Sequence, residues 1–333
     1  MNAGLKESTL PMFDLDDQPE VTIPLREQLR RIQWSYSKRN ELEQCPRKYY
    51  FDYFGASARK AKSENRKPLL RKLKSLQNRH ERAGKILHLV IARYFRSASE
   101  KMPLDENGML QWASRLFSTD VTFSRANERE LAESQEKFPP AQLLEFFHGQ
   151  PDAEDLCTAA LAKLLKALET FNKCEALERV RGIRGHPSVL IEKKFNLRNL
   201  ACRVLGVVDF AARNEGDPGI VDWKIGTGDA SDDDSLQLAV YAMWGGEAFQ
   251  CSSHSIRIFK AYLGSGEVSR FRSTEQASNN AQRRILQDAK RMLEMEQYGS
   301  AGNIAAFTAC AQPRICSLCR YLTVCPEGME AVR

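Results

Sequence analysis

Two aspartates and a lysine lie inside apolar runs of the sequence, where charged side chains are uncommon. Asp209 is in "RVLGVVDFAAR", and Asp222 and Lys224 are in "GIVDWKIG". Because burying an unpaired carboxylate is costly, such residues are usually paired, hydrogen-bonded or bound to a metal ion. Carboxylate oxygens suit Mg²⁺ or Mn²⁺, and a nearby lysine can orient water or stabilise developing charge. The pattern indicates metal-assisted phosphodiester hydrolysis, or else a structural Asp-Lys pair beside an unrelated turn aspartate.

The cysteines form a second set with chemical potential. Cys316, Cys319 and Cys325 make a C-x₂-C-x₅-C pattern, and three thiolates leave a metal or cluster one ligand short. Cys45, in "ELEQCPRKYYFDYFG", can complete the set, with Cys310 as the nearest substitute. Spacing alone favours a structural Zn²⁺ site. The other cysteines are interpreted as small apolar residues: Cys157, Cys174, Cys202 and Cys251.

Hydrophobic periodicity predicts the elements that carry these side chains. Strands are expected at residues 188–197, 202–213 and 219–226. The short "NEGDPG" connection predicts an antiparallel hairpin, so Asp209 and Asp222 can converge, with Lys224 on the same side as Asp222. A buried helix is expected at "GKILHLVIARYFRSA" and another helix at "DSLQLAVYAMWGGEAF". Strands flanked by helices predict an α/β fold.

The order of these motifs resembles the PD-(D/E)XK nuclease superfamily, specifically its RecB-like branch. The matching stretches are "GVVDF", "IVDWKIGTG" and "QLAVY", and "GKILHLVIARYF" is similar to the helix that carries the metal-binding histidine of that branch. The resemblance implies a restriction-endonuclease-like core, a central mixed sheet flanked by helices, that binds Mg²⁺ or Mn²⁺. It implies that Lys224 is catalytic and that Gln237 and Tyr241 position it and contact the substrate strand. The metal ligands it implies are His88, Asp209, Asp222 and the backbone carbonyl of Trp223.

The first cysteine and the three C-terminal ones resemble the cysteine motif of iron-sulfur nucleases. These include the CRISPR-associated RecB-like exonucleases and the AddB nuclease domain. The resemblance implies a 4Fe-4S cluster, an iron-sulfur staple joining the N- and C-terminal parts, held by Cys45, Cys316, Cys319 and Cys325. The long gap after the first cysteine, which encloses the nuclease motifs, favours the cluster over structural zinc, which stays the alternative.

The rest of the sequence suggests how the chain is divided. The expected segments are a flexible N-terminal arm at 1–34, an N-terminal helical part at 35–99, a helical insertion at 100–187, the nuclease core at 188–299 and the cysteine cluster at 300–333. The net charge of +6 is only mildly basic, but residues 59–82 hold ten Lys or Arg against two Glu. This segment is interpreted as a solvated helix face or as a phosphate contact. Glu192, in "LIEKKF", is interpreted as a surface strand charge rather than as a further acid of the site.

Together these features predict a metal-dependent DNA nuclease acting on single-stranded DNA or DNA ends. Because no G-x-x-x-x-G-K-[ST] loop is present, any helicase is expected to be a separate protein, and CRISPR, defence-system or DNA-repair partners are expected by analogy only. Without a membrane-length apolar run or a signal peptide, no membrane association and a cytoplasmic location are expected. Two other classes stay open: a catalytically quiet nucleic-acid-binding scaffold and a zinc-stapled interaction protein.

Overall fold

Runs of β-branched and aromatic residues form one mixed sheet with helices on both faces. The computed structural model describes residues 23–57, 66–132, 139–213, 216–228 and 234–333. Within them the strands are β1 (Gln33–Trp34), β2 (Leu190–Leu197), β3 (Arg203–Ala212), β4 (Gly219–Lys224), β5 (Arg257–Tyr262) and β6 (Glu267–Arg272). The helices are α1 (Leu25–Arg31), α2 (Tyr36–Gln44), α3 (Pro46–Tyr50), α4 (Lys67–Ser75), α5 (Arg79–Arg96), α6 (Glu106–Ala126), α7 (Leu144–Phe147), α8 (Ala153–Lys173), α9 (Glu178–Gly182), α10 (Asp234–Phe249), α11 (Glu275–Ser300), α12 (Pro313–Cys316) and α13 (Pro326–Ala331), with a π-helical turn at Phe51–Gly55.

The sheet is arranged around β3. β2 pairs antiparallel with β3 along most of its length, from Leu190 opposite Ala211 to Leu197 opposite Val204. On the other edge of β3, β1 pairs parallel at one end and β4 pairs antiparallel at the other. β5 lies parallel to β4, and β6 is antiparallel to β5. The α/β fold, its strands and the antiparallel hairpin are confirmed, with strand ends that differ by at most two residues.

Side chains of the sheet contribute to two hydrophobic cores, one on each face. Ile220 packs into a first core with α10 and α11, whereas Val221 and Trp223 pack into a second core with α5, α6 and α8. Because strand side chains alternate, Asp222 and Lys224 lie on the face of the first core.

The helical block of residues 100–187 packs as part of the second core. Phe171 of α8 meets the indole of Trp223 edge-on, with ring centroids 5.6 Å apart. Arg82, at the start of α5, pairs with the buried Asp120 of α6 at 2.6 Å. This arginine belongs to the basic segment 59–82, and its ion pair is a structural anchor. Residues 59–65 of that segment lie outside the described residues.

The prediction of a flexible arm at residues 1–34 is wrong for residues 23–34, the part that the structure describes. Leu29 and Ile32 are buried in the first core, and the indole of Trp34, 1% exposed, donates a hydrogen bond to Asp288 at 3.0 Å. The sequence did not reveal α1, because a seven-residue helix is too short to show a clear period. The described fold therefore begins before residue 35, whereas residues 1–22 lie outside the described residues.

Candidate functional site

Two aspartates meet where the backbone pairing of β3 and β4 ends. Phe210 is opposite Val221, so Asp209 and Asp222 are the next residues along the two strands and face each other. Beyond the backbone pairs, the side chain of Asp209 links the two strands: its Oδ2 accepts a hydrogen bond from the backbone N–H of Trp223 at 2.9 Å. Both carboxyl groups are buried. The structure thus brings together the two acids that the sequence singled out.

Lys224 forms an ion pair with one of these acids. Its Nζ lies 2.9 Å from Oδ2 of Asp222. Burial raises the pKa of Asp222; Lys224 opposes this rise and Asp209 adds to it. Among the described residues, Oδ2 of Asp222 has no hydrogen-bond partner of good geometry. Two carboxylates against one ammonium leave a negative charge that a bound cation would neutralise.

His88 of α5 reaches the same point from the second core. Its Nδ1 lies 3.3 Å from Oδ1 of Asp209 and 3.3 Å from Oε1 of Glu192. Burial lowers the pKa of His88, but hydrogen bonds to these two carboxylates outweigh it and raise the pKa to about 10. One ligand atom from each of the three residues lies within 4.8 Å of the others. An imidazole with two carboxylates is a donor set that fits Mn²⁺ or Mg²⁺.

The interpretation of Glu192 as a surface charge is wrong. Ile191 is opposite Phe210 and Lys193 is opposite Val208, so Glu192 lies beside Asp209 in the register of β2 and β3. Its φ of 49° is left-handed, a strained conformation for a glutamate within a strand. Such strain persists where surrounding structure imposes it, and here the residue contributes a carboxylate to the site.

Replacing Glu192 by glutamine is expected to weaken Mn²⁺ binding about 10- to 100-fold, because a neutral amide replaces a carboxylate beside the ion. Calorimetric titration of metal-free protein with Mn²⁺ measures the change. Glu267→Gln, at an exposed position of β6, is the matched control and should bind Mn²⁺ as wild type does. Equal affinities for Glu192→Gln and wild type would contradict a metal-binding role of Glu192.

Gln237 and Tyr241 lie one turn apart on α10 and approach the aspartates from above the sheet face. Nε2 of Gln237 donates to the Tyr241 hydroxyl at 2.8 Å, and this hydroxyl donates to the carbonyl of Val207 at 3.0 Å. The hydroxyl also lies 3.5 Å from Oδ1 of Asp222. Burial, with the nearby aspartates, raises the pKa of Tyr241 well above its ordinary value, so the phenol stays neutral. The pair therefore anchors α10 to the edge of β3, with the Tyr241 hydroxyl next to the Asp222 carboxyl.

Trp223 contributes through its backbone, since its indole is buried in the second core. Its N–H points across to Asp209. In a strand the N–H and C=O of one residue lie on the same edge, so its carbonyl also faces the gap between β3 and β4. This is the direction required of the carbonyl ligand that the family resemblance implies.

Five cysteines line one cavity of about 280 Å³. They are distant in the sequence from the candidate metal ligands. They come from the start of α3 and from the C-terminal segment, and they are Cys45, Cys310, Cys316, Cys319 and Cys325. Sγ of Cys310 lies 4.0 Å from Sγ of Cys316. The sequence prediction placed Cys310 outside the set, but the fold places it at the cavity wall.

Burial disfavours the thiolate form of three of the cavity cysteines. Burial raises the pKa of Cys45 and Cys325, and raises that of Cys319 to about 12. Lys48 and Arg47 act in the opposite direction on Cys319 and Cys325, respectively. The cavity thus offers thiol ligands with positive charge nearby, which suits an anionic metal-thiolate group.

The segments on either side of the cavity are also joined by polar contacts. Arg47 donates to the carbonyl of Phe307 at 2.7 Å and pairs with Glu327 at 3.0 Å. The Tyr321 hydroxyl, between the last two cysteines, donates to Oδ1 of the buried Asp52 at 2.8 Å. These contacts hold the C-terminal segment on α3 and the π-helical turn.

Glu41 of α2 shares a proton with Asp52. Burial and the hydrogen bond with Asp52 raise the pKa of Glu41 to about 8, whereas Lys48 and Arg320 act in the opposite direction. Burial would raise the pKa of Asp52, but Glu41, Arg320 and Tyr321 outweigh it and lower the value. Between the ordinary value of 4.5 and about 8, the folded state therefore binds a proton on Glu41 that the unfolded state lacks.

The Glu41→Gln variant is expected to be less sensitive to alkaline pH than wild type. Because the folded wild type binds the extra proton, its stability falls as pH rises through this window, by at most about 1.4 kcal/mol per pH unit. Glutamine is neutral throughout, so the variant should have the higher Tm at pH 8.5. Thermal unfolding from pH 6 to 9 measures both curves, and parallel curves would contradict the shared proton.

Comparison with known proteins adds a family match. A family model described as the PD-(D/E)XK nuclease superfamily matches residues 33–326. No curated protein matches this chain. Among solved structures, the crystal structure of SSO0001 is similar at 14% identity, covering 53% of this chain and 79% of that chain, with a TM-score of 0.28. No described helix of this chain has the length and apolar character needed to cross a bilayer.

Proposed function

We propose, because this chain belongs to the PD-(D/E)XK nuclease superfamily, that it is a metal-dependent deoxyribonuclease that hydrolyses phosphodiester bonds in single-stranded DNA or at DNA ends. Membership indicates a metal-dependent nuclease; the DNA substrate and its form are our inference. The observation that carries it is the convergence of Asp209, Asp222 and Lys224 with His88 beside them. An inactive scaffold would have no need for this set.

The residues present fit a divalent ion. His88, Asp209, Asp222, the carbonyl of Trp223 and, by geometry, Glu192 would hold it. A bound Mg²⁺ or Mn²⁺ would polarise the phosphoryl group and lower the pKa of a bound water. The ammonium of Lys224 is placed to orient the attacking water or to stabilise charge on the phosphoryl oxygens, because it is protonated and 2.9 Å from Asp222. Tyr241, held by Gln237, lies 3.5 Å from the Asp222 carboxyl.

A 4Fe-4S cluster is our proposal for the cysteine cavity, with Cys45, Cys316, Cys319 and Cys325 as ligands. Among the described residues, no three cysteine sulfurs lie within 4.8 Å of one another. Tetrahedral Zn²⁺, with Zn–S bonds of about 2.3 Å, would hold its sulfurs about 3.8 Å apart. The wider spacing and the 280 Å³ cavity support a cluster over zinc. Its role would be to clip α3 to the C-terminal segment.

The setting we propose is cytoplasmic DNA repair, CRISPR adaptation or anti-phage defence, with a separate helicase or defence-system subunit as partner. Tyr49, Tyr50, Phe51 and Phe54 are buried, each at 2% exposure or less. They fill the first core, so they are not available to stack on bases.

Anaerobically purified protein should degrade end-labelled single-stranded DNA in Mg²⁺ or Mn²⁺ and lose this activity in EDTA. Parallel assays with duplex DNA and RNA define the substrate, and the product ladder gives the polarity. Metal-independent degradation would contradict the assigned site. If the protein binds DNA without cutting it under any of these conditions, a nucleic-acid-binding scaffold replaces the proposal.

A further inference from the structure

A groove of about 500 Å³ opens beside the candidate metal ligands of the site. Its walls are residues 34–37 at the start of α2, strands β2 and β3, and one face of α10. Its floor includes Gly206, where the ring of Phe195 occupies the space that a Cβ would need. The missing side chain lets the Phe195 ring lie directly against the backbone of β3. Ligand sites commonly have volumes of about 300–1,000 Å³, so this groove suits one nucleotide and not a duplex.

The groove is continuous with the candidate catalytic residues. Gln237 and Tyr241 line it, and the Tyr241 hydroxyl lies 3.5 Å from Asp222. A nucleotide seated here would be a neighbour of a phosphate bound at the candidate metal ligands.

The chemistry of the walls favours a base and a phosphate. Three aromatic side chains in the groove are buried: Trp34, Phe195 and Tyr241 are 1%, 9% and 5% exposed. Tyr36 is the half-buried aromatic residue, with part of its surface accessible. Among the described residues of the groove, Lys194 alone carries a charge, and it is exposed. An aromatic face with one ammonium and no carboxylate complements one nucleotide of an unpaired strand.

We propose that this groove binds the nucleotide next to the scissile phosphate, with the base stacked on Tyr36 and the backbone phosphate near Lys194. The assignment rests on the proposed nuclease function and adds to it. It makes single-stranded DNA the preferred substrate, because a base paired in a duplex cannot lie against Tyr36. It also gives the enzyme sequence tolerance, since every base has a face that can stack.

Binding of oligonucleotides with one abasic position tests the stacking contact. The protein background is Lys224→Ala with Mg²⁺, so that DNA is cut about 10²–10³-fold more slowly than by wild type while binding is measured. Moving the abasic position along a short single strand should reveal one position where affinity falls about 5- to 150-fold. Adding Tyr36→Ala should lower affinity for intact DNA similarly and remove the effect of that abasic position. Tyr36→Phe keeps the ring and should bind within about twofold of the background.

If Tyr36→Ala and the abasic position each lower the affinity independently of the other, the stacking assignment is overturned. Blunt duplex DNA that binds as tightly as single-stranded DNA would overturn it too. Tyr298→Ala, at an exposed tyrosine outside the groove, should change nothing. If Tyr36→Ala does not fold, Lys194→Gln decides: it should reduce the salt dependence of binding by about one charge, whereas Lys193→Gln, next to it but outside the groove, should not. Equal salt slopes for the two lysine variants would overturn the proposal.

Because binding is measured separately from cleavage, a protein that does not cut DNA but shows the abasic effect would overturn only the nuclease assignment.

Discussion

The Lys224→Ala variant is expected to cleave DNA about 10²–10³-fold more slowly than wild type while binding it with nearly unchanged affinity. Lys224 is a protonated lysine directed at the two aspartates, and its side chain is 35% exposed. Its charge acts on groups that become negative only as the phosphodiester bond breaks, so binding of the uncut strand depends on it little. Single-turnover cleavage of end-labelled DNA and fluorescence anisotropy measure the two quantities separately.

The Asp222→Asn substitution is expected to weaken metal binding while leaving the stability of the metal-free protein nearly unchanged. Mn²⁺ should raise the Tm of wild type, because a ligand that binds only the folded state stabilises it. The rise should be smaller in Asp222→Asn, whereas metal-free variant and wild type should unfold at similar temperatures. The reason is that burial already disfavours the Asp222 carboxylate, and Lys224 can reach water when its partner becomes neutral.

Asp120→Asn is the matched control for this substitution. Asp120 is also 1% exposed, but it pairs with Arg82 in the helical block. Its replacement should lower the Tm without changing the Mn²⁺-induced rise or the rate per folded molecule. Cleavage at the wild-type rate by Lys224→Ala, or a full Mn²⁺ response in Asp222→Asn, would refute the site assignment.

Cys316→Ser is expected to lose the visible absorbance and the iron of an iron-sulfur protein and to lower the Tm by about 6 °C, or roughly 4 kcal/mol. The cavity joins segments that are distant in the sequence, so the bound group contributes its binding energy to folding. Iron and acid-labile sulfide analysis after anaerobic purification, with thermal unfolding, measures both effects.

Two variants control for the loss of a thiol. Cys251→Ser, at a half-buried position outside the cavity, should keep iron and absorbance. Cys310→Ser tests the ligand assignment, because Cys310 also lies at the cavity. If Cys310→Ser loses the cluster and Cys45→Ser keeps it, then Cys310 is the fourth ligand. Zinc without iron in the wild type would replace the cluster with a structural zinc site.

Much of the β3–β4 hairpin and of α10 could be predicted from local patterns. The apolar runs and the short connection between 212 and 219 predict neighbouring antiparallel strands, so the approach of Asp209 and Asp222 follows from residues only thirteen positions apart. The helical period of α10 likewise puts Gln237 and Tyr241 one turn apart. In each case the chain itself keeps the partners close.

Glu192 shows where local reasoning fails. In "LIEKKF" it is one of several charges on a short strand, and nothing nearby distinguishes it. Its place depends on the register of β2 against β3, on a left-handed backbone at that residue, and on the packing of α5, which brings His88 from 104 residues away. The available signal was a carboxylate in the predicted strand that precedes the strand of Asp209.

Local sequence patterns predict the types of the candidate ligands, their order and the elements that carry them, because hydrophobic period and turn chemistry act over short stretches of chain. Which distant groups meet depends on the tertiary structure: His88 and Glu192 at Asp209, Cys310 among the cavity thiols, and Tyr36 in one groove with Tyr241. These meetings depend on how helices pack against the sheet to bury their apolar faces. That packing is a property of the whole core, so no single segment encodes it.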